Sequence, residues 1–221
     1  MVTAAHTAMN TDRLTLVQWL SPSFPIGAFS YSHGLETAAQ QGMVCNAADL
    51  QDWIATVLKH GAGHADALFL AAAYRADGLT RLDNVDTTAR AIAASRERLL
   101  ETEAQGAAFC DAVHAVWELE LPKLVYPVAI GFAARQRGLD LAETGELYLH
   151  AFLSNLTAVG MRLSLLGQTE GQRVISRLAP LCLEIARATR DGNLESLSST
   201  TFLPDIASMQ HETQNSRIFR T

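Results

Sequence analysis

His60 and His64 stand four residues apart with Asp66 close behind. On a helix that spacing places both imidazoles on one face, within reach of a divalent ion. Gly61 and Gly63 fall among them and cost a helix about 1 kcal/mol each, so the segment reads first as a helix break carrying two exposed histidines. A metal-carrying protein built on His60, His64 and Asp66 is the rival reading. Ser30, Ser32 and His33 also crowd together, but no glycine frames either serine as a nucleophile elbow requires. Gly160 to Gly167 lacks the Lys and the Ser or Thr with which a Walker loop holds phosphates and magnesium. Cys45, Cys110 and Cys182 are odd in number, far apart and outside any C-x-x-C pair, which favours reduced thiols over a disulfide frame or zinc knot. The expectation is a chain with no catalytic residue, no cofactor and no metal ligand set, and hence not an enzyme.

Other segments carry chemistry that recognises rather than reacts. Ser21 to Ala38 reads SPSFPIGAFSYSHGLETA. Pro22 and Pro25 end a preceding helix and extend the chain, Gly27 permits a backbone closed to other residues, and Ser30 or Ser32 can cap the helix carrying Glu36. Phe24, Phe29 and Tyr31 are residue types that anchor interfaces; the plainer reading is a rigid interhelical loop. Ser208 to Thr221 reads SMQHETQNSRIFRT, with Ile218 and Phe219 set between Arg217 and Arg220. Burying those two side chains is worth roughly 3–6 kcal/mol, against on the order of 12–24 kcal/mol to fix a dozen residues of backbone. The segment is therefore expected not to hold one conformation alone. It reads either as a docking tail that orders on a partner or as ordinary terminal disorder.

Helical periodicity supplies the body behind these segments. Asn46 and Asp49 open a helix whose Leu50, Trp53, Ile54, Val57 and Leu58 share one face before Gly61. Asp140 with Glu143 forms a capping box ahead of a stretch over 142–165 that is apolar nearly all round, and Thr169 with Gln172 repeats the box. Pro127 and Gly138 suit a first helical position and an exit. Further helices are predicted over 12–20, 31–41, 65–76, 87–117 and 203–210. Within 87–117 the crowded charges from Arg96 to Glu103 read as a solvated face, with a charged contact surface as the sharper alternative, and Gly106 to Ala108 as a flat place for another helix. With no alternating strand, the fold class is all-α. A single-domain bundle of about eight to ten helices is expected around the central apolar helix. It spans residues 1–202, with 1–11 disordered, and a flexible C-terminal tail at 203–221 docks partners.

The 221 residues are 48% hydrophobic and 18% charged, enough for one real core. A net charge of -6 and a pI near 5.6 give no basic field for nucleic acid. The longest apolar runs, such as Ala67 to Tyr74, are too short for a membrane span, and Met1 to Arg13 lacks a secretory pattern, so a cytoplasmic location is expected.

The end segments carry a specific resemblance. Pro25, Gly27, Phe29, Ser30, Ser32, Gly34, Leu35 and Glu36, with His211, Glu212, Thr213, Gln214, Ser216, Arg217, Phe219 and Arg220, resemble the paired motifs of the UreF family of urease accessory proteins, a likeness that extends along nearly the whole chain. Ala28, His33 and Gln210 stand where that family commonly has glycine, glutamine and arginine. The resemblance implies an all-helical protein, often a dimer, that acts as an adaptor joining UreD (also called UreH) and the GTPase UreG on apo-urease, where nickel is delivered as GTP is hydrolysed. On this reading the tail, anchored by Phe219 and flanked by Arg217 and Arg220, orders against UreD. The loop from Pro25 to Glu36, with Tyr31 and with Arg162, faces UreG.

Overall fold

The computed structural model describes residues 2–198 and 201–220, with the side chains of residues 2–10 outside that description. The disordered stretch expected over 1–11 falls almost entirely outside the described side chains. The helices are α1 (Val2–Trp19), α2 (Leu35–Gln40), α3 (Ala47–His60), α4 (Ala62–Tyr74), α5 (Leu79–Ala91), α6 (Arg96–Trp117), α7 (Tyr126–Arg137), α8 (Leu141–Arg162), α9 (Gln168–Ala188) and α10 (Phe202–His211). No strand occurs among the described residues, and the class is all-α.

The strongest local signals hold. Asn46 Oδ1 accepts the N–H groups of Ala48 at 2.9 Å and Asp49 at 3.1 Å, and α3 buries its predicted face. Asp140 Oδ1 accepts the Glu143 N–H at 2.8 Å, which starts α8 where orphan donors need a partner. Pro127 lies in the first turn of α7, and Gly138 leaves it at φ +69°.

Elsewhere the boundaries move for identifiable reasons. The helix predicted over 87–117 is broken before Ser95, whose Oγ accepts the Arg98 N–H at 3.1 Å and so starts α6 anew. The helix predicted from residue 31 begins only at Leu35, because His33 and Gly34 are left-handed at φ +54° and +76°. For α9 the cap is Gly167 rather than Thr169, with no side-chain cap bond.

The centre is shared. Within α4 every residue from Ala67 to Ala73 is buried, and α8, the expected central helix, buries Leu149, Leu153, Leu156 and Val159 completely. Small residues let the backbones meet. A Cβ on Gly131 of α7 would collide with the Leu70 carbonyl of α4, and one on Gly106 of α6 with the Leu124 carbonyl ahead of α7. Gly106 is thus the approach point that the sequence suggested. Trp19 of α1 meets Phe109 and Trp117 edge-on at 5.3 and 5.7 Å, which pins the first helix and the loop behind it to α6.

Gly131→Ala is expected to push α7 off α4 and to lower stability by about 1–3 kcal/mol. At Gly145, where an added Cβ meets only the Ala186 Cβ at 3.7 Å, the same change should be neutral or gain up to about 1 kcal/mol. Urea midpoints of the two variants would read the contrast.

Candidate functional site

Glu36 on α2 is buried, at 5% exposure. Its Oε1 accepts the Ile218 N–H at 2.7 Å, and its Oε2 accepts the Phe219 N–H at 3.0 Å. The same Oε2 lies 3.1 Å from His211 Nε2, and His211 Nδ1 lies 2.7 Å from Glu97 Oε2 on α6. Arg217 donates to Glu97 Oε1 at 2.6 Å. His211, wholly buried, thus bridges the carboxylates of Glu36 and Glu97 through its two ring nitrogens.

Around it the tail is stitched to both ends of the fold. The Arg220 N–H donates to the Ser30 carbonyl at 2.8 Å, and the Arg96 N–H at the start of α6 donates to Glu212 at 2.9 Å. Thr37 donates to Gln214, and Gln41 to Gln210, each at 2.9 Å. Phe219 is 4% exposed beneath the Arg162 guanidinium, which lies 4.5 Å from the ring centroid and donates to the Phe29 carbonyl.

The expectation of a tail unable to hold one conformation is corrected by this seat. Counting only apolar burial omitted hydrogen bonds to charged groups, worth about 1.5–3 kcal/mol each, and Glu36 alone receives two from the tail backbone. Glu36 consequently faces inward rather than toward a partner. Of the aromatic residues expected to anchor an interface, Phe24 and Tyr31 are buried in the body and only Phe29 is exposed, at 65%. Ser32 and Gly34 are also buried, and Ser32 Oγ accepts the Glu36 N–H at 3.4 Å. Gly27, at φ +70°, and Ser30 are half-buried, while Pro25, Arg162, Thr213, Ser216, Arg217 and Arg220 lie outward.

Behind the loop is a cavity of about 630 Å³. Phe24, Ile26, Phe29, Leu147 and Phe152 form its walls, and His33, Asp66, Arg98, Glu101 and Tyr148 its floor. Arg98 donates to Glu101, and Gln105 donates to the same carboxylate at 3.0 Å. Burial alone would raise Glu101, but Arg98 and His33 outweigh it and hold the carboxyl at about 2. Burial and then Arg98 lower His33 against the pull of Glu101, so the ring is neutral and its 3.0 Å contact with Glu101 is a hydrogen bond. Tyr148 donates to Asp66 at 2.9 Å. Burial still lifts Asp66 to about 6, with Arg98 and that hydrogen bond countering only in part.

This commitment removes Asp66 from the set a metal reading needs. His60 is exposed at the end of α3, and His64 is half-buried at the start of α4, where burial and then His60 lower its pKa. Among the described residues no group of three or more His, Cys, Asp or Glu could hold a metal ion. Glu97, Arg98 and Glu101 escaped the sequence reading as site residues. Their signal was available: carboxylates four apart repel on an open helix face unless each meets its own cation.

The floor fixes a pH response. Asp66 is raised from its ordinary 3.8 to about 6, so the folded state keeps a proton the unfolded chain has lost, and stability falls as pH rises through that window. Asp66→Asn should flatten the slope and raise stability at pH 7.5 by about 1–3 kcal/mol. Glu101 is depressed, so its contribution is present above its ordinary 4.5 and fades as pH falls toward 2. Glu101→Gln should cost about 3–5 kcal/mol at neutral pH, read by urea midpoints across pH 3–8.

A family model described as UreF matches residues 44–179, a span lying between the two end motifs. Relatives aligned over nearly the whole chain are named urease accessory protein UreF. That of Ruegeria pomeroyi is 53% identical over 208 residues, covering 94% of this chain and 96% of its own. The Roseobacter denitrificans protein is 50% identical over 216 residues and covers 96% of both. In Rhodopseudomonas palustris the relative is 44% identical, covering 93% of this chain and 90% of its own. With more than half the chain under the family model and relatives aligned nearly end to end, the chain belongs to the UreF family.

Proposed function

We propose that the chain is a non-catalytic adaptor and chaperone that joins UreD (UreH) and the GTPase UreG on apo-urease, for GTP-dependent nickel insertion and assembly of the urease metallocentre. It acts in the cytoplasm, as a homodimer. The observation that carries the reading is the outward side of the seated tail. On α10, Phe202, Leu203, Ile206 and Met209 are 73, 60, 46 and 51% exposed, and Ile218 beyond it is 72% exposed. Apolar side chains grouped this way mark protein contacts, and α10 turns only Pro204, Ala207, Ser208 and His211 inward.

UreD takes this face. The outward part of the neighbouring loop, Pro25 and Phe29 with Arg162, faces UreG. Because Phe219 and Arg162 touch, the two contacts are adjacent and one body can hold both partners at once. The nickel-metallochaperone alternative gains nothing from His60 and His64, since Asp66 bonds to Tyr148 instead. No helix among the described residues is long and apolar enough to cross a membrane.

Ile206→Asp combined with Met209→Asp should abolish co-purification with UreD and urease activation while leaving helical circular dichroism intact, as the altered side chains are solvated in the free chain. Retained UreD capture would refute this assignment of the face. Phe29→Ala, at a side chain exposed in the free chain, should reduce UreG capture from the ternary mixture by roughly tenfold, the scale of an interface anchor.

A further inference from the structure

The charges on the cavity floor do not cancel. Arg98 is bonded to Glu101 and acts on Asp66 only at longer range. Among the described residues Asp66 forms no ion pair, and the one hydrogen bond it receives is from the Tyr148 hydroxyl, on Oδ2 at 2.9 Å. Arg162, the other guanidinium lining the cavity, is engaged at the rim, over Phe219 and on the Phe29 carbonyl. The floor therefore holds two carboxylates for one cation.

A spare acceptor accompanies the spare charge. The His33 side chain is 7% exposed and meets Glu101 through Nε2 at 3.0 Å, while its Nδ1 has no hydrogen-bond partner among the described residues. In a neutral ring whose Nε2 donates, Nδ1 is an acceptor, and an acceptor left unpaired in the interior is unfavourable. His33 and Asp66 both line the cavity. What the floor lacks is a positive charge that carries N–H groups.

The walls narrow the class of molecule that could bring one. About 630 Å³ is room for a small organic ligand. Phe24, Phe29 and Phe152 contribute aromatic rings to the wall, and Phe152 stands edge-on to the His33 ring at 4.9 Å, which joins wall to floor. Aromatic faces attract a cation as well as an apolar body. An anion would instead meet the uncompensated carboxylate, and a bare metal ion finds no group of three or more His, Cys, Asp or Glu among the described residues.

We propose that the cavity is a binding site for a small organic cation, a protonated amine carried on an aromatic or apolar body. The ammonium sits at the floor beside Asp66 and His33, and the body lies against Phe24, Phe29 and Phe152. This function goes beyond the adaptor reading and requires no partner protein.

The test titrates the full chain with three probes of similar shape, followed by protein-observed NMR at pH 7.5. Phenethylammonium should bind about tenfold more tightly than phenethyl alcohol, the scale of one charge-assisted hydrogen bond, and hydrocinnamate should bind weakest. Asp66→Asn removes the charge and keeps the shape; it should bring the ammonium down to the level of the alcohol and leave the alcohol unchanged. Ala151→Trp, at a half-buried wall position, should fill the cavity and abolish binding of both. Equal affinity for the three probes, or ammonium binding undiminished by Asp66→Asn, would overturn the proposal. So would the absence of ammonium binding up to about 10 mM, a weak limit for a ligand of this size. Should Asp66→Asn misfold, the ranking of the probes and Ala151→Trp decide alone. No other protein enters the assay, so its failure is distinct from failure of the adaptor reading.

Discussion

A carboxylate inside an apolar bundle is tolerated only where donors surround it, and Glu36 is that carboxylate. Its place on a short helix entered through left-handed residues points it across the bundle end rather than into solvent. The donors come from the far end of the chain: the backbone of Ile218 and Phe219, and His211. A requirement of elementary electrostatics thereby ties residue 36 to residue 219 and brings two distant motifs onto one surface.

The first turns of α6 serve two charge clusters at once, which explains their composition. Glu97 turns outward to His211 and Arg217; Glu101 turns inward to Arg98 and His33. Neither carboxylate is a solvated decoration. Tail seat and cavity floor differ in environment: the outer cluster is bordered by exposed Arg217, while the inner one shifts Asp66 upward and Glu101 downward through burial and pairing. Any displacement of α6 is felt by both, because successive residues Glu97 and Arg98 belong to different clusters.

The fold was legible wherever a local interaction decided it. Asn46 and Asp140 cap their helices with their own side chains, and Pro127 and Gly138 bracket α7, so residue type alone marked those boundaries. The break between α5 and α6 was hidden, since Ser95 is a modest cap within a long helical pattern. The seat of the tail was hidden more deeply. Nothing local distinguishes Glu36 from a surface glutamate in the first turn of a helix, where acidic residues are common; only the three-dimensional approach of residues 211 and 219 reveals its use. Family motifs at the two ends marked both segments as special, yet they assigned them to separate partners, whereas the geometry joins them.

That junction changes the energetics of recognition. A tail that ordered only on contact would charge its ordering entropy against every complex it formed. Here the folding of the bundle already meets that cost through the Glu36 and Glu97 hydrogen bonds. The arrangement also inverts the usual logic of a surface helix, because α10 turns small residues inward, Ala207 and Ser208 against the Cβ-less Gly34, and leaves its large apolar side chains outside. Close approach of the α10 backbone to Gly34 leaves room only for small side chains at residues 207 and 208. With the inner face given to these, Pro204 and His211, the bulky apolar residues lie outward, so holding the tail and presenting an apolar face are one structural event.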